Sequence, residues 1–328
     1  MKATAIAHSN IALVKYWGKR NGALNLPAVG SISITLDALS TTTNVEFVPG
    51  LNKDQLFLND IQVEGKEQIR VQNFMNLVRR ESGIKNYTVI KSGNNFPTAA
   101  GLASSASAFA ALALAGTTAA GLKVTKKDLT ILARIGSGSA ARSIFGGFVE
   151  MHKGIYKNGS DAFAEPLADE NYWDLRVLIA VTSESKKKIG STDGMTQSKK
   201  TSPYYRNWIA ASPKDLSGMR AAIKQKNFTK LGEISEFSCL KMHALALATT
   251  PALIYWNGTT VDGMHLIREL RGKGSEVYFT IDAGPQLKAI CQAKDEHKIK
   301  RELEALPGVV RVISTKIGGP ARIIGESV

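Results

Sequence analysis

The 328-residue chain predicts a fold of mixed helices and sheets, in two domains or one large one. Three observations lead there. Strand-like and helix-like stretches alternate along the whole length. The hydrophobic fraction is 44%, which suits a globular core and not a disordered chain. No apolar run approaches the length of a membrane span. Alternation of this kind fits α/β and α+β architectures equally.

The elements follow from local patterns. β-branched and aromatic residues gather at 42–47, 87–91, 147–152, 176–182, 276–281 and 309–315, which are the expected strands. Helices are expected at 67–82, 105–120, 127–134, 214–225, 228–247, 260–271 and 285–293. The 105–120 segment is rich in Ala and Leu, with Ser104 or Ser105 as its cap and Gly121 as its stop. A composition shift at 183–202 reads as a loop between domains, placed at 1–185 and 186–328.

Two Ser- and Gly-rich loops carry the functional signal. The first is Pro97-Thr98-Ala99-Ala100-Gly101-Leu102-Ala103-Ser104-Ser105-Ala106-Ser107. The second is Gly136-Ser137-Gly138-Ser139-Ala140-Ala141-Arg142-Ser143. Small side chains let a ligand reach the backbone, and N–H groups at a helix start suit a phosphate. Gly101 permits torsions closed to other residues. Ser107 falls in the first helical turn, where a hydroxyl can meet a phosphate or its magnesium ion. The first loop is not a Walker A loop, because no Gly-Lys-Ser/Thr follows its glycine. A tight turn before a closely packed Ala-rich helix is the structural alternative. Arg142, after the second loop, can grip a carboxylate through two parallel hydrogen bonds, or form an ordinary ion pair.

Composition excludes several classes. Cys239 and Cys291 are the only cysteines and have neither metal-ligand nor disulfide spacing, which favours a reducing, cytoplasmic setting. Lys15, Lys19 and Arg20 interrupt any signal-peptide run. The balance of 42 Lys+Arg against 28 Asp+Glu gives a net charge of +14. These cations are spread out and lack the aromatic interleaving of RNA-binding surfaces, so they read as solvated surface and as steering for phosphorylated ligands. The tight run Lys186-Lys187-Lys188 would, alone, be a solvated patch. His8, His152, His243, His265 and His297 are scattered, and His243 reads as a packed helical residue. Asp282 ends the apolar strand before Ala283-Gly284-Pro285, where a carboxylate either faces a cleft or caps a turn.

Together, the first loop, Lys15-Tyr16-Trp17-Gly18-Lys19, the Gly136–Arg142 loop and Asp282-Ala283-Gly284-Pro285 resemble the diphosphomevalonate decarboxylases of the GHMP-kinase superfamily. The resemblance runs from about Ser9 to about Gly319. It implies the GHMP-kinase fold, an α+β architecture whose two α+β domains hold the active site in the cleft between them. It also implies ATP and Mg2+, the small-molecule substrate 5-diphosphomevalonate, and a homodimer. No nucleic acid or membrane partner is expected.

By the same resemblance, Asp282 is the catalytic carboxylate that orients the 3-hydroxyl, and Arg142 takes the substrate carboxylate. Tyr16, Lys19, Ser137, Gly138, Ser139 and Ser191 line the rest of the substrate. Ser92 and Asn94 match positions near the ribose and base. Gly101, Ala103, Ser104, Ser105 and Ser107 cradle phosphates, with Ser107 toward magnesium. Lys186 and Lys187 match a lysine pair near the ATP phosphates. Thr192 stands where many bacterial relatives carry an arginine that helps bind diphosphate, while eukaryotic-type relatives look similar to Gly-Ser-Thr here. A monophosphate decarboxylase or a 3-kinase is the nearest alternative, and a non-enzymatic anion- or nucleic-acid-binding protein the distant one. Simple anion binding needs no carboxylate such as Asp282.

Overall fold

A computed structural model describes residues 1–96, 104–185 and 189–327. Gly101, Ala103, Lys186 and Lys187 therefore lie outside the described residues.

The larger sheet is built on two long strands, Lys2–Val14 and Ser31–Val48, paired antiparallel along most of their length. Arg322–Ser327 extends it on one side, and Tyr87–Asn94, Gln55–Leu58 and Ile61–Gln62 on the other. Phe148–Met151 pairs with the start of Ser31–Val48, and Ala164–Ala168 follows it. Ala3, Ala5 and Ala7 alternate along the first strand and are fully buried. Opposite them lies the helix Ser104–Ala119, whose Ala106, Ala110, Ala111, Ala113 and Ala115 are also fully buried. Small residues on both surfaces let helix and sheet approach closely. The helices Lys66–Ser82 and Lys126–Gly136 complete this layer, the latter capped by the Thr125 side chain.

The smaller sheet runs Val277–Thr280, Leu287–Gln292, Leu175–Val181, Arg311–Lys316, all antiparallel. It carries Phe228–Leu247 and Gly258–Gly272, the latter opened by an Asn257–Thr260 capping box, while Tyr205–Lys224 packs on Phe228–Leu247. The helix Phe228–Leu247 touches both Lys2–Val14 and Val277–Thr280, and one core includes Ile11, Ile34, Val177, Ile179 and Phe228. The two sheets thus share packed interior, and the strand ends that carry Lys15 and Asp282 meet between them.

Two expectations are corrected. The segment 285–293 is a strand, Leu287–Gln292, not a helix: it pairs with neighbours on both sides and its first five residues are buried. Its Pro285 suits a helix start, but the ladder decides. The segment 183–202 is not all loop, since Ser191–Thr201 is helical.

One backbone knot fixes the 3-10 helix Gly138–Ile144 that carries Arg142. Thr35 donates to the Gly147 carbonyl at 3.1 Å, Gly147 to the Gly318 carbonyl at 3.0 Å, and Gly318 to the Thr35 carbonyl at 2.9 Å. Gly147 has φ of 74°, and a Cβ there would lie 2.1 Å from the Ala168 carbonyl oxygen. Backbone strain and backbone overlap therefore add. Gly147→Ala is expected to cost on the order of 3 kcal/mol in denaturant unfolding; a loss below about 1 kcal/mol would contradict this packing.

Candidate active site

The site begins where the strand Lys2–Val14 ends. Lys15 is only 1% exposed, and its backbone N–H donates to Ser238 Oγ at 2.9 Å. Its Nζ lies 2.6 Å from Asp282 Oδ1. Asp282 follows the buried strand Val277–Thr280, and Gly284 closes a tight turn by donating to the Asp282 carbonyl. Burial alone would push the Asp282 pKa up. The Lys15 and Lys288 charges, the Lys15 hydrogen bond and the Arg142 charge outweigh it and hold the carboxyl below the ordinary carboxylate range.

Arg142 is 2% exposed. Its Nη1 donates to Ser31 Oγ at 2.6 Å and its Nη2 to Asn10 Oδ1 at 3.1 Å. Asn10 Nδ2 in turn donates to the Ser139 carbonyl and to Ser143 Oγ. Burial lowers the guanidinium pKa to about 10, while Asp282 and Tyr16 oppose that shift, so Arg142 remains a cation at neutral pH. Its Nε and the Tyr16 hydroxyl are buried and meet no hydrogen-bond partner among the described residues. Gly138 is the residue that lets Tyr16 in: a Cβ there would sit 2.3 Å from the Tyr16 oxygen.

Asp282, Arg142, Asn10, Tyr16 and Gly138 line one cavity of about 490 Å³. At one end Lys19 Nζ donates to Thr192 Oγ1 at 3.0 Å, beside Gly190 and Ser191 at the start of the helix Ser191–Thr201. Burial and the Arg70 charge lower the Lys19 pKa to about 8, against the pull of Asp193. At the other end Leu56, Leu58, Val71 and Phe109 form apolar walls, edged by Ser92, Asn94, Ser104 and Ser105. Ser105 Oγ stands 3.3 Å from Ser137 Oγ, which joins the two loops.

The structure therefore brings Asp282, Arg142, Tyr16, Lys19, Ser137, Gly138, Ser139, Ser191, Ser92, Asn94, Ser104 and Ser105 to a single cavity. Ser107 lies at the start of the helix Ser104–Ala119, fully buried, with its hydroxyl 2.6 Å from Thr41 Oγ1. Arg70 and Glu67 also line the cavity, and sequence reading missed both. They sit in a charged helix that reads as solvent-facing, yet Arg70 reaches back to the Gly136 carbonyl at 2.7 Å and lies 4.4 Å over Phe109. Lys288, 2% exposed, was likewise hidden within a stretch expected to be helical.

Family models for the diphosphomevalonate decarboxylase-like N-terminal domain and the mevalonate 5-diphosphate decarboxylase C-terminal domain match residues 7–164 and 177–322. The diphosphomevalonate decarboxylase of Ganoderma lucidum is 38% identical over 93% of this chain and 81% of its own. The chain belongs to the diphosphomevalonate decarboxylase family. The crystal structure of mevalonate diphosphate decarboxylase from Staphylococcus aureus aligns at TM-score 0.93 and 42% identity, over 99% of this chain and 98% of that one. MDDEF in complex with MVAPP, AMPPCP and magnesium aligns at TM-score 0.93 and 40% identity over 99% of both chains. The architecture is accordingly the α+β, GHMP-kinase type that the sequence resemblance implies.

The Thr192 hydroxyl accepts from Lys19, and both residues line the cavity together with Ser191. Among the described residues no group of three or more His, Cys, Asp or Glu can hold a metal ion. Hydroxyls and cations, not a carboxylate cage, face this cavity, which suits a magnesium ion carried on nucleotide phosphates.

The lowered Lys19 pKa makes anion binding pH-dependent. Below about 8 the ammonium is charged and holds an anion; above it the charge is lost. Affinity for inorganic pyrophosphate, measured by titration calorimetry, is expected to fall as pH rises through that value, relative to Lys19→Arg in the same buffers. Parallel profiles for wild type and variant would exclude Lys19 as the titrating cation.

Proposed function

We propose that the chain catalyses ATP-dependent decarboxylation of 5-diphosphomevalonate to isopentenyl diphosphate, releasing ADP, phosphate and CO2 in isoprenoid biosynthesis. The observation that carries this reading is the pairing of Arg142 and Asp282 in one cavity, with a cationic end at Lys19 and a hydroxyl-edged apolar end at Ser92 and Asn94. ATP, with Mg2+, supplies the phosphoryl group that turns the 3-hydroxyl into a leaving group. Phosphate then departs as the carboxylate is lost as CO2.

The residues divide that work. Lys19, Tyr16 and Ser191 hold the substrate diphosphate, and the Ser191 helix start adds its N-terminal dipole. Arg142, held by Ser31 and Asn10 through its two Nη atoms, supplies the cation for the substrate carboxylate. Ser137, Gly138 and Ser139 flank the carbon chain. Ser92 and Asn94 edge the base and ribose, and Ser104 and Ser105 the phosphates. Gly101, Ala103, Lys186 and Lys187 keep their proposed roles on the ATP phosphates. Ser107 likewise keeps its proposed role toward magnesium.

Asp282 accepts a hydrogen bond from the 3-hydroxyl and aims its oxygen at the phosphorus. Its lowered pKa makes it a weak base, so the proton leaves the hydroxyl only as the new P–O bond forms. Departure of phosphate builds positive charge at the tertiary carbon, and the electron pair of the carboxylate's C–C bond quenches it as CO2 leaves and the alkene forms. Water must be kept from that carbon while substrate fills the cavity, and Asp282 faces it with negative charge.

The chain is also proposed to act as a homodimer in the cytoplasm, in keeping with its two free buried cysteines. A division into units 1–185 and 186–328 is likewise a proposal; the strands Leu175–Val181 and Arg322–Ser327 cross it in opposite directions.

ADP release with mevalonate, its 5-phosphate and its 5-diphosphate offered in turn tests the substrate. The 5-diphosphate is expected to give the largest kcat/KM; a preference for the 5-monophosphate, or ADP release without CO2, would move the assignment to the alternative decarboxylase or the 3-kinase. Asp282→Asn is expected to bind ATP normally and to lose turnover on the order of a hundred- to ten-thousandfold. A destabilised variant with wild-type turnover would make Asp282 a structural residue.

A further inference from the structure

We infer that the helix Phe228–Leu247 is the positioning element for the Lys15–Asp282 pair, with Cys239 and His243 gripping the Ile281 peptide and Ser238 gripping the Lys15 peptide. The inference rests on the functional reading above for its kinetic part and on geometry for the rest.

Ile281 is fully buried and lies one residue past the strand Val277–Thr280, where the ladder with Leu287–Gln292 has ended. A buried peptide group beyond its ladder needs other partners. The Ile281 N–H donates to Cys239 Sγ at 3.2 Å. The Ile281 carbonyl accepts from the same thiol at 3.5 Å and from His243 Nε2 at 3.3 Å. Two side chains, one turn apart on one helix, thus serve both polar groups of the residue that precedes the catalytic carboxylate. From the adjoining side of the same helix, Ser238 accepts from the Lys15 N–H at 2.9 Å. Met242, between these residues, lines the cavity.

Both gripping side chains are uncharged at working pH, which lets them serve as hydrogen-bond partners. Burial pushes the Cys239 thiol up to about 11 and His243 down to about 3. Neutral His243 has one N–H, and a carbonyl partner assigns it to Nε2. The ring is wedged against Trp256, with centroids 4.5 Å apart. This is the use of a histidine and a cysteine that the reaction itself does not need. The charged groups facing Asp282 come from other elements: Lys15 from the first strand, Lys288 from Leu287–Gln292 and Arg142 from the 3-10 helix. A shift of the Ile281 peptide therefore moves Asp282 relative to three fixed cations.

The test compares wild type, Cys239→Ala/His243→Leu, the conservative pair Cys239→Ser/His243→Gln, and Cys291→Ala, a buried cysteine of the same core. Hydrogen exchange of the peptide spanning 277–286 reads the grip directly, whatever reaction the site performs. It is expected to quicken in Cys239→Ala/His243→Leu and to stay slow in the other two variants. Kinetically, Cys239→Ala/His243→Leu is expected to lose kcat by about tenfold or more with KM for ATP and substrate within about threefold, and the conservative pair to recover most of it. The acid limb of its kcat profile should move to higher pH as Asp282 loses Lys15. Should that variant fail to fold, the single exchanges Cys239→Ala and His243→Leu carry the same readings. Unchanged exchange with unchanged kcat, or an equal kcat loss in Cys291→Ala, would overturn the inference. A wild type that releases no CO2 would sink the functional reading instead, leaving the exchange data to decide the grip.

Discussion

The site depends on one buried electrostatic arrangement: a carboxylate, Asp282, held among Lys15, Lys288 and Arg142. Burying a charge is costly unless partners compensate it. Here the compensation comes from three separate parts of the chain, so the cluster exists only when both sheets are in place. The excess of cations also leaves a net positive cavity. An incoming carboxylate and diphosphate complete the charge balance that the protein alone leaves unfinished.

The surrounding fold reads as support for that arrangement. Alanines on strand and helix bring the first layer close together, which sets the two Ser- and Gly-rich segments side by side at Ser105 and Ser137. The backbone ties around Gly147 hold the 3-10 helix, and Asn10 locks Arg142 to Ser139 and Ser143. Rigid placement matters because phosphoryl transfer is chiefly a problem of position and charge. Little in the site is a strong base or nucleophile, and the proposed chemistry needs neither.

Much of this was legible in the sequence, for physical reasons. The two loops stand out because closely spaced small residues leave backbone open to a ligand, whereas Tyr16, Lys19, Arg142 and Asp282 gained their roles from the family resemblance, since each alone also fits a turn, a core position or an ordinary ion pair. The Ala-rich helix and the helix Phe228–Leu247 are long and periodic. What stayed hidden depends on tertiary context. The strand Lys2–Val14 was not foreseen, since alanines carry little strand preference and only close packing favours them there. Leu287–Gln292 looked helical, because nothing local encodes its two neighbours. Ser107 belongs to a hydroxyl-rich loop, yet its rotamer turns it inward to Thr41. The resemblance could supply a role for that residue but not its direction. Lys288 looks like a surface charge until folding buries it, and Arg70, which stays exposed, is turned back onto the Gly136 carbonyl only by the tertiary fold.

The central claim is that the 3-hydroxyl oxygen leaves on phosphate as CO2 departs. Substrate labelled with 18O at the 3-hydroxyl tests it directly, by mass spectrometry of the inorganic phosphate released during turnover. The account predicts that the label passes quantitatively into phosphate, with one CO2 formed for each labelled phosphate. Unlabelled phosphate, with the 18O lost to water or retained in the organic product, would contradict it.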